Sequence, residues 1–479
     1  MFFALAMLVH PVVAAEIEQA QDKSANASDG KPQEPTKPDT ASTDQAPGNR
    51  AKAAEDKSSD QSDDLWTRKT LLGDIGPIRP FLAQYGATLA IIEYDEVLGN
   101  ATGGVRQGTI FEGLTDLSLG IDLRPTLNLR GNFYARAYQI HAPGLTFLNI
   151  HNLDTISGIE AAPTSRLVEF WYEQHFDWVR IRVGEQTATT DYLNPATARL
   201  FVNGALGWPP LPGTDLPSGG PGYPLGVMAV RLRFDPVEDV TIFTSLFNGD
   251  PTGAGVFGSQ LLDASGTAFR TSDGAFVISE LRYNPDSSDD KGTYRFGGWY
   301  NSERFRDFHL DTGGMSLASP LSSGQAKQHS GDYSLYAVID QPFLIDEAAN
   351  TSFATFARVM GAPDDRNLVS LYAEAGLAYK GPFGRKDDQV GIAVGYARIG
   401  QAARDFETDI GRFTGRPFPV GSGEGLVELT YRVQVTPWLQ VQPDFQYVFN
   451  PGGGIPNPNS PGQRIGDAAV FGLRTTITF

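Results

Sequence analysis

Arginine and glutamate recur at alternate positions through this chain, and that spacing is where its chemistry begins. Arg180 and Arg182 alternate with Val179, Ile181 and Val183; Arg231 and Arg233 alternate with Val230, Leu232 and Phe234. Successive side chains of an extended strand point to opposite faces, so each arginine pair shares one face and the aliphatic residues take the other. Both pairs flank the longest connection expected in the chain, 187–225. Arg136, Arg282, Arg295, Arg358, Arg432 and Arg474 fall on the same kind of face, as do Glu169, Glu173, Glu280, Glu374 and Glu428, with Trp171 and Trp299 among them. Guanidinium forks donate to hydroxyls, carboxylates accept from them, and the flat C–H face of a sugar ring rests on an aromatic. A path selective for ions would favour one sign of charge, whereas mixed Arg and Glu suits a neutral polyol. The same residues also suit Arg–Glu ladders that only brace the wall they stand on, and spacing leaves both readings open.

Other chemistry finds little support. Gly253-Ala-Gly-Val-Phe-Gly258 matches a dinucleotide-binding pattern, but that pattern has meaning only between a buried parallel strand and a helix, and here it falls between strands expected to be antiparallel. Asp289-Asp290 and Asp387-Asp388 sit in short turns and read as solvated faces. There is no GxSxG or HExxH, the six histidines are scattered, and cysteine is absent, so no metal or cofactor is expected and thiol chemistry is excluded. A net charge of −18 argues against nucleic acid as a partner.

The elements that must position these residues are strands. In the last segment, Phe471, Leu473, Thr475, Ile477 and Phe479 share one face, and Gly472, Arg474, Thr476 and Thr478 the other. An apolar-out, polar-in strand ending on an aromatic is what a transmembrane β-barrel needs, because in lipid the last strand must pair with the first. Alternating segments are expected near 87–97, 111–123, 131–141, 165–176, 178–186, 226–234, 239–248, 273–284, 292–302, 330–342, 351–361, 368–380, 388–400, 424–435, 437–449 and 467–479. About sixteen is an even count, of the size found in channel-forming barrels. The connections alternate short and long, apart from a short one near 362–367, as periplasmic turns alternate with extracellular loops. Faces such as Val427-Leu429-Tyr431-Val433-Val435 and Val369-Leu371-Ala373-Ala375-Leu377-Tyr379 are expected to meet lipid, and Gln440, Gln442, Asp444 and Gln446 a water-filled lumen. The 187–225 connection holds Phe201, Gly207-Trp208-Pro-Pro and Leu216-Pro-Ser-Gly-Gly-Pro-Gly-Tyr-Pro224, a stiffness that fits a loop folded inward to narrow the path.

The fold class expected is thus all-β: an antiparallel up-and-down transmembrane barrel over 65–479, with a short helix near 77–85. No run of 18 or more apolar residues crosses a membrane as a helix. Residues 1–15, MFFALAMLVHPVVAA, read as an export signal, although no basic residue precedes the apolar run. Residues 16–64 lack aromatics and are rich in Ala, Ser, Asp, Lys, Pro and Gln, so this stretch reads as a disordered periplasmic arm.

Several short stretches resemble a known family. They are Leu72-Gly-Asp-Ile-Gly-Pro-Ile-Arg79, Glu96-Val-Leu-Gly-Asn100, Gly103-Gly-Val-Arg-Gln-Gly108, Phe111-Glu-Gly-Leu114 and Glu169-Phe-Trp-Tyr-Glu-Gln174. Arg182-Val-Gly184, Phe201-Val-Asn203, Gly207-Trp-Pro209, Leu216-Pro-Ser-Gly-Gly-Pro221 and Asn248-Gly-Asp-Pro251 complete the set. Together they resemble the OprB-type carbohydrate-selective porins. The resemblance implies a sixteen-stranded outer-membrane barrel that takes up mono- and small oligosaccharides by passive diffusion. The pore-lining candidates are Arg136, Glu169, Trp171, Glu173, Arg180, Arg182, Arg231, Arg233, Glu428 and Arg474, with Phe201 and Trp208 on the constriction loop. Sugars and outer-membrane lipid are the expected partners, self-association is left open, and a general porin without sugar preference is the alternative.

Overall fold

The computed structural model describes residues 64–256, 259–285, 291–346 and 348–479. The expected export signal (1–15) and almost all of the acidic arm lie outside the described residues, as do Phe257-Gly258 of the glycine pattern and Asp289-Asp290. The strands are β1 (Ala87–Asn100), β2 (Gly108–Asp122), β3 (Gly131–His141), β4 (Ser165–His175), β5 (Val179–Gln186), β6 (Val227–Val237), β7 (Val240–Asn248), β8 (Ala275–Tyr283) and β9 (Thr293–Asp311). They continue as β10 (Ala326–Asp346), β11 (Thr351–Gly361), β12 (Val369–Lys380), β13 (Gln389–Ile399), β14 (Gly423–Thr436), β15 (Leu439–Phe449) and β18 (Ala468–Thr478), while β16 (Pro456–Asn457) and β17 (Ser460–Arg464) form a separate hairpin. Sixteen strands close one antiparallel barrel, the number expected.

The terminal strand closes the ring as its alternation requires. β18 pairs with β15 on one side and β1 on the other, from Ile92↔Thr478 to Asn100↔Val470. Phe471 and Leu473 are exposed on the outer face. Arg474 lies opposite Glu96 and is ion-paired with it on the inner face. The helix Ile78–Gln84 packs beneath β1, and Arg79 donates to the carbonyls of Leu89 (3.0 Å), Gly73 (3.1 Å) and Phe479 (3.0 Å), pinning the chain terminus. Aromatic pairs mark the short-turn end of the wall: Phe133–Tyr172 at 4.9 Å, Tyr283–Tyr294 at 6.3 Å and Phe353–Tyr379 at 4.4 Å between ring centroids. Such girdles sit at the membrane–water boundary.

Four expectations need correction. Strands were expected at 292–302 and 330–342, but β9 and β10 run to 19 and 21 residues and leave only 312–325 as connection. The extra stretch Ser302–Asp311 is rich in charged residues, with Phe305 and Phe308 among them and no continuous aliphatic face for lipid, as suits a strand that extends beyond the membrane. Val369 is buried, because a register slip between Val369 and Leu371 against β13 turns it inward. The connection expected as a loop over 401–423 contains the helix Gln401–Thr414, whose Ala402, Phe406 and Ile410 recur every fourth residue and are buried, the last two against Ala318. Finally, the lumen is not lined by polar side chains alone. Phe243, Phe247, Phe276, Ile278, Trp299, Val338 and Met360 of the inner wall pack with Tyr192, Leu193, Ala205, Leu211 and Leu216 of the β5–β6 connection. A barrel this wide cannot fill its interior from its own wall, so an apolar inner wall needs a loop to cover it.

Candidate functional site

The β5–β6 connection crosses the lumen from β5 to β15, and inward wall side chains hold its backbone along the way. Its first anchor is a closed ring of charges. Glu173 on β4 accepts from Arg182 on β5 (3.0 Å) and from Arg231 on β6, and Asp191 of the loop accepts from the same two arginines. Burial pushes the Asp191 carboxyl upward, but the Arg182, Arg231 and Arg282 guanidiniums outweigh it and hold it below the usual carboxylate range. Further along, Glu280 on β8 accepts from the Leu193 amide (3.0 Å), and Asp340 on β10 from the Thr197 amide (3.0 Å). Arg358 on β11 donates to the carbonyls of Leu193, Ala205 and Gly207. Glu428 on β14 accepts from the amides of Val202 (2.6 Å) and Asn203 (3.1 Å), and Gln442 on β15 donates to Leu200 (2.7 Å). Buried carboxylates and guanidiniums are costly unless bonded, and irregular backbone inside a barrel needs partners; each supplies the other.

A second connection, between β3 and β4, also folds inward, and sequence reasoning did not single it out. Glu424 on β14 accepts from the amides of Leu153 (2.8 Å), Asp154 (2.6 Å) and Gly452 (2.6 Å), and Gln446 on β15 donates to Ile156 (2.9 Å). Leu145, Ile150 and Ile156 are fully buried with Leu98, Leu426 and Val448. Three aliphatic residues at no strand period inside a presumed loop were the available signal.

Between the β5–β6 connection and β5–β9 lies a small chamber that opens to solvent. Arg180, Arg231, Arg233, Arg282 and Arg295 line it from the wall, Thr190, Asp191, Asn194 and Arg199 from the loop, and Phe243 forms part of its surface. The Phe243 ring stacks under Arg282 at 4.1 Å, with Arg231 at 5.3 Å and Arg233 at 5.4 Å. Cations favour an aromatic face, so one ring keeps three guanidiniums side by side.

The residues singled out from sequence therefore divide by place. Arg180, Arg231 and Arg233 reach the chamber. Arg182 lies over the Trp171 ring at 3.9 Å inside the charge ring, and Glu169 accepts from the Thr187 amide (3.3 Å) and the Thr190 hydroxyl (3.1 Å). Glu173 and Glu428 bind the loop as described. Arg136 pairs with Asp116, and Arg474 with Glu96 and Ser157, away from the chamber. Phe201 packs on Phe356 (5.8 Å), and the Trp208 indole donates to Gly219 (2.9 Å) within the loop. Asp191, Asn194 and Arg199 were missed, because a loop residue has no period to betray its direction.

A closed, even-numbered antiparallel barrel, with short turns at one end, long loops at the other and a loop laid across its lumen, is an outer-membrane porin. The family model for the carbohydrate-selective porin, OprB family, matches residues 109–479. The chain belongs to that family. Porin B of Pseudomonas aeruginosa is 24% identical over 444 residues, covering 86% of this chain and 91% of that protein. The putative porin QuiX of Acinetobacter baylyi is 22% identical over 454 residues, covering 87% and 95%. The high-pH structure of OprB from Pseudomonas putida superposes with a TM-score of 0.76 at 22% identity, over 86% of this chain and 99% of that one. The protein is thus a sugar porin of the Gram-negative outer membrane, and its family and fold make it a channel.

Proposed function

We propose that the β5–β6 connection sets the narrowest section of the path and that the chamber beside it is where permeating sugars are read. The observation that carries this is the Arg182–Glu173–Arg231–Asp191 ring, which fixes the loop against the wall next to a surface of unsaturated hydrogen-bonding groups. Arg180, Arg199, Arg233, Arg282 and Arg295 offer donors, and the Asn194 side-chain oxygen offers an acceptor, so hydroxyls bind transiently and leave. Arg182, Glu169, Trp171, Glu173 and Glu428 act behind that surface by positioning the loop, and Arg136 and Arg474 by bracing the wall. Passage is passive diffusion and needs no cofactor, metal ion or catalysis. The exposed apolar belt contacts outer-membrane lipid, residues 1–15 direct export, and 16–64 form a periplasmic arm. Swelling of proteoliposomes tests this with a series of sugars and size-matched amino acids. Faster swelling in monosaccharides is the expected result; equal rates would make the protein a general porin, and no swelling would refute a channel.

A further inference from the structure

Six of the ten residues around the chamber are arginines, and one is an aspartate. Three of the arginines are answered by carboxylates: Arg231 by Glu173 and Asp191, Arg233 by Asp235, and Arg282 by Glu280. Arg180, Arg199 and Arg295 are not ion-paired among the described residues. Arg295 gives one hydrogen bond, to the Asn194 carbonyl at 2.7 Å, whereas Arg180 and Arg199 give none among the described residues. The chain as a whole carries −18, so this local excess of positive charge runs against the overall balance.

Hydrogen-bond capacity points the same way. A guanidinium donates and never accepts, and the acceptors offered in return are few. Each Asp191 oxygen already accepts from an arginine, Arg182 or Arg231, and the Thr190 hydroxyl gives its proton to Glu169. The side-chain oxygen of Asn194 has no partner, and neither do Arg282 Nη2 and Arg295 Nε. A neutral sugar brings a donor with every hydroxyl acceptor and leaves those donors short of partners here. A carboxylate brings acceptors alone, in the spacing of a guanidinium fork. A polyol tail on that carboxylate would still supply a hydroxyl to donate to the Asn194 oxygen.

We propose that the chamber is a carboxylate-reading subsite, and that polyhydroxylated monocarboxylates (aldonates and uronates) are therefore preferred over neutral sugars of equal size. This rests on the sugar-porin reading and narrows it. The test is uptake of labelled gluconate and glucose into proteoliposomes, each at low concentration, with potassium and valinomycin clamping the membrane potential at zero. One charge-assisted contact predicts gluconate entering about tenfold faster than glucose, with the ratio falling towards one in Arg199→Gln and Arg180→Gln and as ionic strength rises. Glucose entry without faster gluconate entry overturns the proposal and leaves the sugar porin intact. A gluconate preference that survives both substitutions overturns the assignment to this chamber. Entry of neither solute overturns the porin reading, and this proposal with it.

Discussion

Replacing Arg358 with methionine keeps the volume of its stem and removes every donor. The side chain is 1% exposed; its Nη2 donates to Glu374 (2.9 Å) and the Ala205 carbonyl (2.8 Å), and its Nη1 to Leu193 (3.2 Å) and Gly207 (3.3 Å). Leaving one member of a buried pair alone costs about 3–5 kcal/mol. Each charge-assisted carbonyl bond adds about 1.5–3 kcal/mol in isolation, but the freed carbonyls regain water once the loop lifts, so the sum overstates the loss. About 4 kcal/mol against the docked loop is a fair figure, equivalent to roughly a thousandfold in its docking equilibrium. Amide hydrogen exchange over residues 193–207, read by mass spectrometry, should show that loss of protection, and single-channel conductance in planar bilayers should rise. Adding Glu374→Gln should restore part of the protection, since the carboxylate no longer sits buried and unpaired. If Arg358→Met exchanged and conducted like the parent, Arg358 would not be one of the anchors, and the loop would be held by the Glu280, Asp340, Glu428 and Gln442 bonds and the apolar contacts without it.

Arg474→Leu leaves Glu96 buried and unpaired on the seam strand, so the heat-induced unfolding of the barrel on SDS gels should shift to lower temperature, by the equivalent of about 3–5 kcal/mol; an unchanged transition would show that the seam does not depend on the pair. Glu407, on the extracellular helix Gln401–Thr414, is pushed up to about 7 by burial, against the pull of the Gly421 amide. A raised carboxylate favours the docked helix fully only below its ordinary range, near 4.3, and that contribution is lost as pH rises through 7, at most about 4 kcal/mol. Asp409 on the same helix is held low by its bond to His309 and burial does not overcome it, so its own contribution fails only in acid. Hydrogen exchange of residues 401–414, corrected for intrinsic rates, should therefore show Glu407→Gln gaining protection over the parent between pH 5 and 8, by a margin that grows with pH. A constant margin would mean that Glu407 is not titrating in that window.

Barrel strands were legible because lipid on one side and lumen on the other force a period of two, and the turn lengths repeat it. β14 shows both at once: Leu429 and Val435 are exposed while Glu428 and Thr430 are buried. The same rule failed for Ser302–Asp311, where Phe305, Asp307 and Asp311 are buried but no aliphatic face survives to be counted. At the site, the wall arginines could be placed on the inner face, but the residues they would meet could not. Asp191 and Arg199 stand nine and seventeen positions beyond Arg182 in a connection without period, and only the folded loop brings them to one chamber. The choice left open for the Arg and Glu residues divides by position: Arg182 and Glu173 share one buried ring, whereas Arg180 reaches open space two residues earlier on the same strand.

The anchors of the β5–β6 connection also order events during assembly. Glu173 precedes the loop, but Glu280, Asp340, Arg358, Glu428 and Gln442 all follow it, the last more than two hundred residues downstream. Each long-range contact adds to the closure entropy that must be met before the loop gains anything. The crossing loop therefore has its full set of anchors only once the C-terminal strands stand in the wall, so the selectivity of the pore depends on the barrel being complete.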